Sequence, residues 1–198
     1  MAIRCFIAIE IPEAIRKAVT AVTDSLKNTG ADVKWVSDEN IHITLQFLGE
    51  TEESLIPKIK DTLDKILAPY SPFYIKMSHI GCFPDGRHPR VIWVGIEECR
   101  TLINLHNDIT NAMAEFGYPK EDKEFTAHGT IGRVKSQKNS LGLRRRLDEI
   151  KTAEFSGFEV NSITLMKSEL KSSGAKYYSL AEIPFGRRSN VNEGSSEG

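Results

Sequence analysis

The feature that most constrains this chain is a repeat within it. Phe6-Ile7-Ala8-Ile9-Glu10 resembles Trp93-Val94-Gly95-Ile96-Glu97, which stands 87 residues further on. Both stretches are short, apolar and rich in β-formers, so both read as buried strands. The same offset carries Ile15, Ala18, Val22, Leu26 and Gly30 onto Leu102, Leu105, Ile109, Met113 and Gly117. Steps of three and four place those positions on one helix face, and a glycine ends each copy. Pro12 suits the first turn of the first helix, where a missing N–H costs nothing. His42 and His128 then follow, 86 residues apart. A strand–helix–strand unit has been used twice.

The two copies diverge after each histidine but keep their order. Leu55, Ile59, Leu63 and Ile66 predict a helix over 51–67, with Pro57 delaying its start. Leu143, Leu147 and Ile150 predict its counterpart over 141–150, with Arg144, Arg145 and Arg146 turned outward. Further strands are expected at 73–77, 158–165 and 177–183, and a loop at 81–89. The last stretch, 187–198, is Ser, Asn, Gly and Glu with one valine, and is expected to be a disordered tail. The helices are too few to cover both faces of a sheet. The reading is α+β: one bilobal domain over 1–186, with two pseudo-twofold-related lobes, each an antiparallel sheet backed by helices. A groove between the sheets is the natural ligand site.

Composition narrows the setting. Of 198 residues, 40% are hydrophobic and 27% charged, the balance of a globular protein with a true core. No apolar run reaches the roughly 20 residues that span a bilayer, and the start Met1-Ala2-Ile3-Arg4-Cys5-Phe6 lacks the layout of a signal peptide. Cys5, Cys82 and Cys99 are scattered and odd in number, and read as reduced thiols in a cytoplasmic protein. The net charge of −1 advertises no polyanion partner, so any anion site must be local.

Ile41-His42-Ile43-Thr44-Leu45 is an apolar strand with two polar residues two apart. Alternation puts His42 and Thr44 on one face and Ile43 and Leu45 on the other. Ala127-His128-Gly129-Thr130-Ile131 repeats the arrangement at the same place in the second copy. A lone strand histidine is ordinarily a satisfied core residue; a matched pair facing one groove is a site. Two histidines are too few for a metal, and neither motif carries an acidic residue at a fixed spacing, so no metal and no cofactor is expected. Two imidazoles and two hydroxyls around one point suit displacement at a phosphodiester. One imidazole takes a proton from the nucleophile, the other protonates the leaving oxygen, and the hydroxyls of Thr44 and Thr130 donate to the non-bridging oxygens.

With those residues in view, the chain resembles the archaeal and bacterial 2′-5′ RNA ligase family of RNA 2′,3′-cyclic phosphodiesterases, within the two-histidine phosphoesterases. The resemblance runs from Ile3 to Phe185. It rests on Arg4-Cys5-Phe6-Ile7-Ala8-Ile9, Asn40-Ile41-His42-Ile43-Thr44-Leu45-Gln46-Phe47-Leu48-Gly49 and Gly81-Cys82-Phe83-Pro84. It extends to Arg90-Val91-Ile92-Trp93-Val94-Gly95 and Phe125-Thr126-Ala127-His128-Gly129-Thr130-Ile131-Gly132-Arg133.

The resemblance implies opening of a 2′,3′-cyclic phosphate to a 2′-phosphomonoester without a metal, with His42 as proton donor and His128 as acceptor. It also sets Arg133 on the substrate side. A regular strand would put Arg133 on the opposite face from His128, leaving a rim or lobe-bridging role open. Gly129 departs from the family's usual apolar residue, and looser packing behind that strand is expected. The implied partner is RNA with a 2′,3′-cyclic phosphate end, tRNA-derived ends included, with no membrane and no obligate protein partner, for a monomeric enzyme. The alternatives are a 2′-5′ RNA ligase joining tRNA halves and a non-catalytic RNA-end binding module. Phe47, Trp35 and Phe83 read as core residues that could instead stack a base, and Lys135, Lys138 and Arg144–Arg146 as a basic face. His79 and His88, near the 81–89 loop, read as incidental, and His106, at the helical position equivalent to Val19, as a partly buried helix residue.

Overall fold

The computed structural model describes residues 1–84, 88–120, 124–171 and 174–186. Residues 85–87 and the stretch 187–198, expected above to be a tail, lie outside the described residues.

Among the described residues nine strands form one sheet: β1 (Ala2–Glu10), β2 (Val33–Trp35), β3 (His42–Glu52), β4 (Phe73–Phe83), β5 (Val91–Ile96), β6 (His128–Val134), β7 (Glu154–Val160), β8 (Ser162–Lys171) and β9 (Gly174–Pro184). The order is β7-β4-β5-β6-β3-β1-β8-β9, with β2 paired to β6, and every pairing is antiparallel. Read outward from its centre, this is one pattern twice: β3-β1-β8-β9 in one lobe and β6-β5-β4-β7 in the other. The lobes meet where β3 and β6 pair at one position, Ile43 opposite Gly129. The expected α+β, two-lobed architecture is the one observed.

Four helices back the sheet: α1 (Glu13–Lys27), α2 (Ile56–Leu67), α3 (Arg100–Glu115) and α4 (Ser140–Ile150). They are exchanged between lobes. The helix after β1, α1, packs with α4 against β7 and β4, whereas α3, after β5, packs with α2 against β3 and β9. Sequence repeat and spatial lobe are therefore different partitions of the chain. Strand β1 shows why both faces matter. Its Cys5, Ile7 and Ile9 enter the main core, while Phe6 and Ala8 join Met166 and Tyr177 in a small apolar cluster on the other face.

Several boundaries differ from the sequence expectation. Pairing against the histidine strands sets Glu10 opposite His42 and Gly95 opposite His128, so the matching strands are 85 residues apart rather than 87. Two extra residues between β5 and α3 restore 87 in the helices, where Gly30 and Gly117 both take positive φ. Helix α1 buries Ile15, Val19, Thr23 and Leu26, not Ala18, because Val19 removes more apolar surface from water. Strand β3 runs on to Glu52, and α2 begins only at Ile56 with Pro57 in its first turn. The expected 81–89 loop starts later, since Gly81–Phe83 continue β4 against β5. The expected strand at 158–165 is two strands, broken at Asn161, whose carbonyl accepts from the Phe185 amide.

Candidate active site

His42 and Thr44 leave β3 on the face away from the main core, to which Ile43 and Leu45 belong. His128 and Thr130 leave β6 in the same way. The register through Ile43 and Gly129 sets His42 opposite Thr130 and Thr44 opposite His128. The four side chains thus occupy the corners of a square, each imidazole beside a hydroxyl and diagonal to the other imidazole. Diagonal neighbours across antiparallel strands lie about 7–8 Å apart.

Each imidazole is held by the same two devices. The Nδ1 of His42 lies 2.8 Å from the Asn40 carbonyl, and that of His128 lies 2.7 Å from the Thr126 carbonyl. A carbonyl only accepts, so Nδ1 carries the proton in both rings and Nε2 is left for exchange. Each ring is also packed against two aromatics. Phe6 and Tyr177 stand 4.8 and 5.1 Å from His42, and Phe83 and Trp93 stand 5.2 and 6.2 Å from His128. Burial is the main force holding the His42 pKa below the ordinary imidazole value; the nearby His128 adds to it and the Asn40 carbonyl opposes it. The bond from His128 to Thr126 lies on the exposed side, whereas that of His42 is partly buried.

A cavity of about 680 Å³ opens beside this square, lined by His42, Thr44 and Thr130. Arg133 lines it too. The regular alternation assumed from the sequence fails here: Trp93 pairs with Thr130 but Ile92 with Gly132, so Ile131 is an extra residue that turns Arg133 back to the groove face. The first lobe carries the same bulge at Leu45, and it turns Phe47 to the groove, 54% exposed rather than in the core. Trp35 also lines the cavity, and Phe83 packs between Trp93 and His128.

Gly129 is closely backed by Val94, Ile41 and Ile11, so the expected slack behind the strand is not there. None of Lys135, Lys138 and Arg144–Arg146 lines the cavity, and Arg146 is engaged with Glu149 and Ser25. His79 lies in β4, His88 meets Gln137, and His106 is the partly buried helix residue expected, stacked on Phe125. Sequence reasoning missed Arg4, Lys34, Lys176 and Tyr177, all of which line the cavity. Arg4 was readable, since it alternates with Phe6 and Ala8 along β1. Lys176 and Tyr177 come from a hairpin at the far end of the chain, which no local pattern ties to His42.

Two imidazoles and two hydroxyls at one cleft are the equipment of an enzyme that moves protons at an ester. A family model described as LigT-like phosphoesterase matches residues 9–93 and again 94–177, and the chain belongs to that family. An RNA 2′,3′-cyclic phosphodiesterase of Methanocaldococcus jannaschii is 37% identical over 90% of this chain and 99% of its own length. Proteins of the same description from Aquifex aeolicus and Methanothermobacter thermautotrophicus are 38% and 32% identical, each over 89% of this chain and over 90% and 96% of their own. A Thermus thermophilus protein of known structure superposes with a TM-score of 0.78 at 26% identity, covering 93% of this chain and all of that one. E. coli LigT in complex with 3′-AMP shares the fold, with a TM-score of 0.74 at 21% identity over 94% of this chain and 100% of that one. Among the described residues no group of three His, Cys, Asp or Glu side chains is placed to hold a metal ion, and no helix is long and apolar enough to cross a membrane.

Proposed function

We propose that this phosphoesterase hydrolyses the 2′,3′-cyclic phosphate at an RNA end to a 2′-phosphomonoester by general acid/base catalysis, with no metal or cofactor, in the cytoplasm. The reading is supported by relatives of that description and carried by one structural observation: both Nδ1 atoms are committed to backbone carbonyls, which leaves two Nε2 atoms to exchange protons across one phosphate.

Water attacks phosphorus and gives its proton to Nε2 of His128. The P–O3′ bond breaks, and Nε2–H of His42 protonates the departing 3′ oxygen. Thr44 and Thr130 donate to the non-bridging oxygens, and Arg133 binds the phosphate or the strand attached to it. The environments support this polarity. The hydrogen bond that holds His128 is exposed, on a side where water can arrive, and His42 is enclosed by Phe6 and Tyr177 on the side that lines the cavity.

An oligonucleotide ending in a 2′,3′-cyclic phosphate tests the reading, with the product phosphate located by its position on the ribose. His42→Ala and His128→Ala should each lower turnover by about 10²–10⁴ with an unchanged fold by circular dichroism. The double variant should be little worse than either, because the pair acts as a unit. Wild-type turnover by either single variant, or loss of activity in EDTA restored by metal, overturns it. Tight binding with no turnover would make the protein an RNA-end binding module.

A further inference from the structure

The cavity is not centred on the two histidines. It lies on the His42 side and runs from His42, Thr44 and Thr130 toward the β8–β9 hairpin, where Ser168 and Lys176 line it, and toward β2, where Lys34 does. Asn40, whose backbone carbonyl holds the His42 ring, also lines it and ties β3's start to the hairpin, since its side-chain amide donates to the Ala175 carbonyl at 2.9 Å and to the Ser37 hydroxyl. Among the described residues Arg4, Lys34, Arg133 and Lys176 line this space, with one carboxylate, that of Glu39. Arg4 and Arg133 are close enough to Tyr177 to oppose the rise that burial gives its phenol pKa. Among the described residues none of the four cations forms an ion pair, so their charge is not neutralised by a neighbouring carboxylate. On a chain of net charge −1, four unpaired cations around one cavity make a local anion site.

We infer that the part of this cavity away from the square, bounded by Lys34 and Lys176, is a second nucleotide subsite, which takes the nucleotide before the terminal one and holds its phosphodiester between those two lysines, with Arg4 alongside. The inference rests on the function proposed above, because it requires the cyclic phosphate to sit at the His42–His128 square. The ribose bearing the leaving 3′ oxygen then lies on the His42 side, and its 5′ oxygen leads the strand into the cavity. A volume near 680 Å³ falls within the range of about 300–1,000 Å³ that encloses drug-sized ligands, the scale of a dinucleotide end. Phe47, the exposed ring at the bulge beside Thr44, offers a stacking face within the same space.

The test compares adenosine 2′,3′-cyclic phosphate with the dinucleotide ApA carrying a 2′,3′-cyclic phosphate end. The dinucleotide should have a kcat/KM at least tenfold higher, and the preference should shrink as salt rises. Lys34→Gln combined with Lys176→Gln should lower the ratio of dinucleotide to mononucleotide kcat/KM at least fivefold. A methylphosphonate in place of the internal phosphodiester should cost the wild type a similar factor and cost the double variant nothing more, an outcome a merely structural role would not give. Equal kcat/KM for the two substrates, or a variant that slows both alike, overturns the subsite. No turnover of either by the wild type overturns the function proposed above instead.

Discussion

The His42 imidazole has to be charged to act as an acid, yet its surroundings favour the neutral ring. Burial against Phe6 and Tyr177 and the proximity of His128 both hold its pKa down. In the free enzyme the fraction of protonated His42 therefore falls with rising pH earlier than for an ordinary imidazole. A bound phosphate anion reverses one of those influences, since a negative neighbour stabilises the imidazolium. The alkaline limb of kcat/KM, which reports the free enzyme, should lie at lower pH than the alkaline limb of kcat, which reports the complex. Both limbs belong to the coupled pair of imidazoles and not to one ring. Steady-state profiles from pH 5 to 9 decide the matter. Coincident limbs, or the opposite order, would remove His42 as the acid. At this scale the sequence was fully legible for the two histidines and two threonines, because strand alternation alone fixes which residues share a face. It was not legible for the aromatic pairs that enclose the rings, since Tyr177 reaches His42 from a strand 135 residues further along the chain.

Strand alternation also explains where reading by element failed. The period of two holds until a bulge inserts a residue, and each histidine strand has one directly after its His-x-Thr, at Leu45 and Ile131. The insertion is invisible in composition, because the extra residue in both strands is a buried aliphatic like its neighbours. It turns Phe47 and Arg133, five residues after their respective histidines, into the groove at equivalent places. The duplicated frame thus presents a ring in one lobe and a guanidinium in the other, and an asymmetric substrate has a reason to bind in one direction.

The seam between the lobes makes the second element-scale case. Gly129 pairs with Ile43, and a β-carbon built on it would meet Val94 at 3.3 Å, Ile41 at 3.4 Å and Ile11 at 3.5 Å. An alanine fits with a shift of a few tenths of an ångström and also recovers about 0.5–1 kcal/mol of glycine's backbone entropy. Gly129→Ala should fall within about 1 kcal/mol of the wild type. Gly129→Val pushes two further methyls into a closed space and should cost about 1–3 kcal/mol more. Because the side chain points away from the groove, the alanine variant should keep its turnover. Urea unfolding and the cyclic-phosphate assay measure the two outcomes. A valine variant as stable as the alanine one would mean the strand is loosely packed after all.

At the scale of the molecule, the repeat in the sequence is not a unit of folding. Its first copy supplies β1, α1, β3 and α2, but the lobe built on β1 and β3 is completed by β8 and β9 from the end of the chain. Helix α1 meanwhile leaves its own lobe to pack on β7 and α4, and α3 makes the reciprocal move onto β3 and α2. A chain cut at residue 98, between β5 and α3, would leave β1 without β8 along one edge and α1 without β7 and α4. Buried faces such as those of Ile7, Ile9, Val19 and Leu26 would then be open to water. Each fully buried aliphatic side chain contributes about 1.5–3 kcal/mol, and a domain's whole net stability is only about 5–15 kcal/mol, so neither half can hold its fold. We therefore expect residues 1–98 alone to be unfolded, and the intact chain to unfold by urea in one transition, with far-ultraviolet dichroism and tryptophan fluorescence coincident. Trp35 and Trp93 report from β2 and β5, on either side of β6, while the dichroism reports every helix. Two separated transitions, or a folded 1–98 fragment, would show that the exchanged helices and the returning hairpin are dispensable to the first lobe. The groove would then be a contact between independent halves, and the diagonal spacing of the two imidazoles would be free to vary.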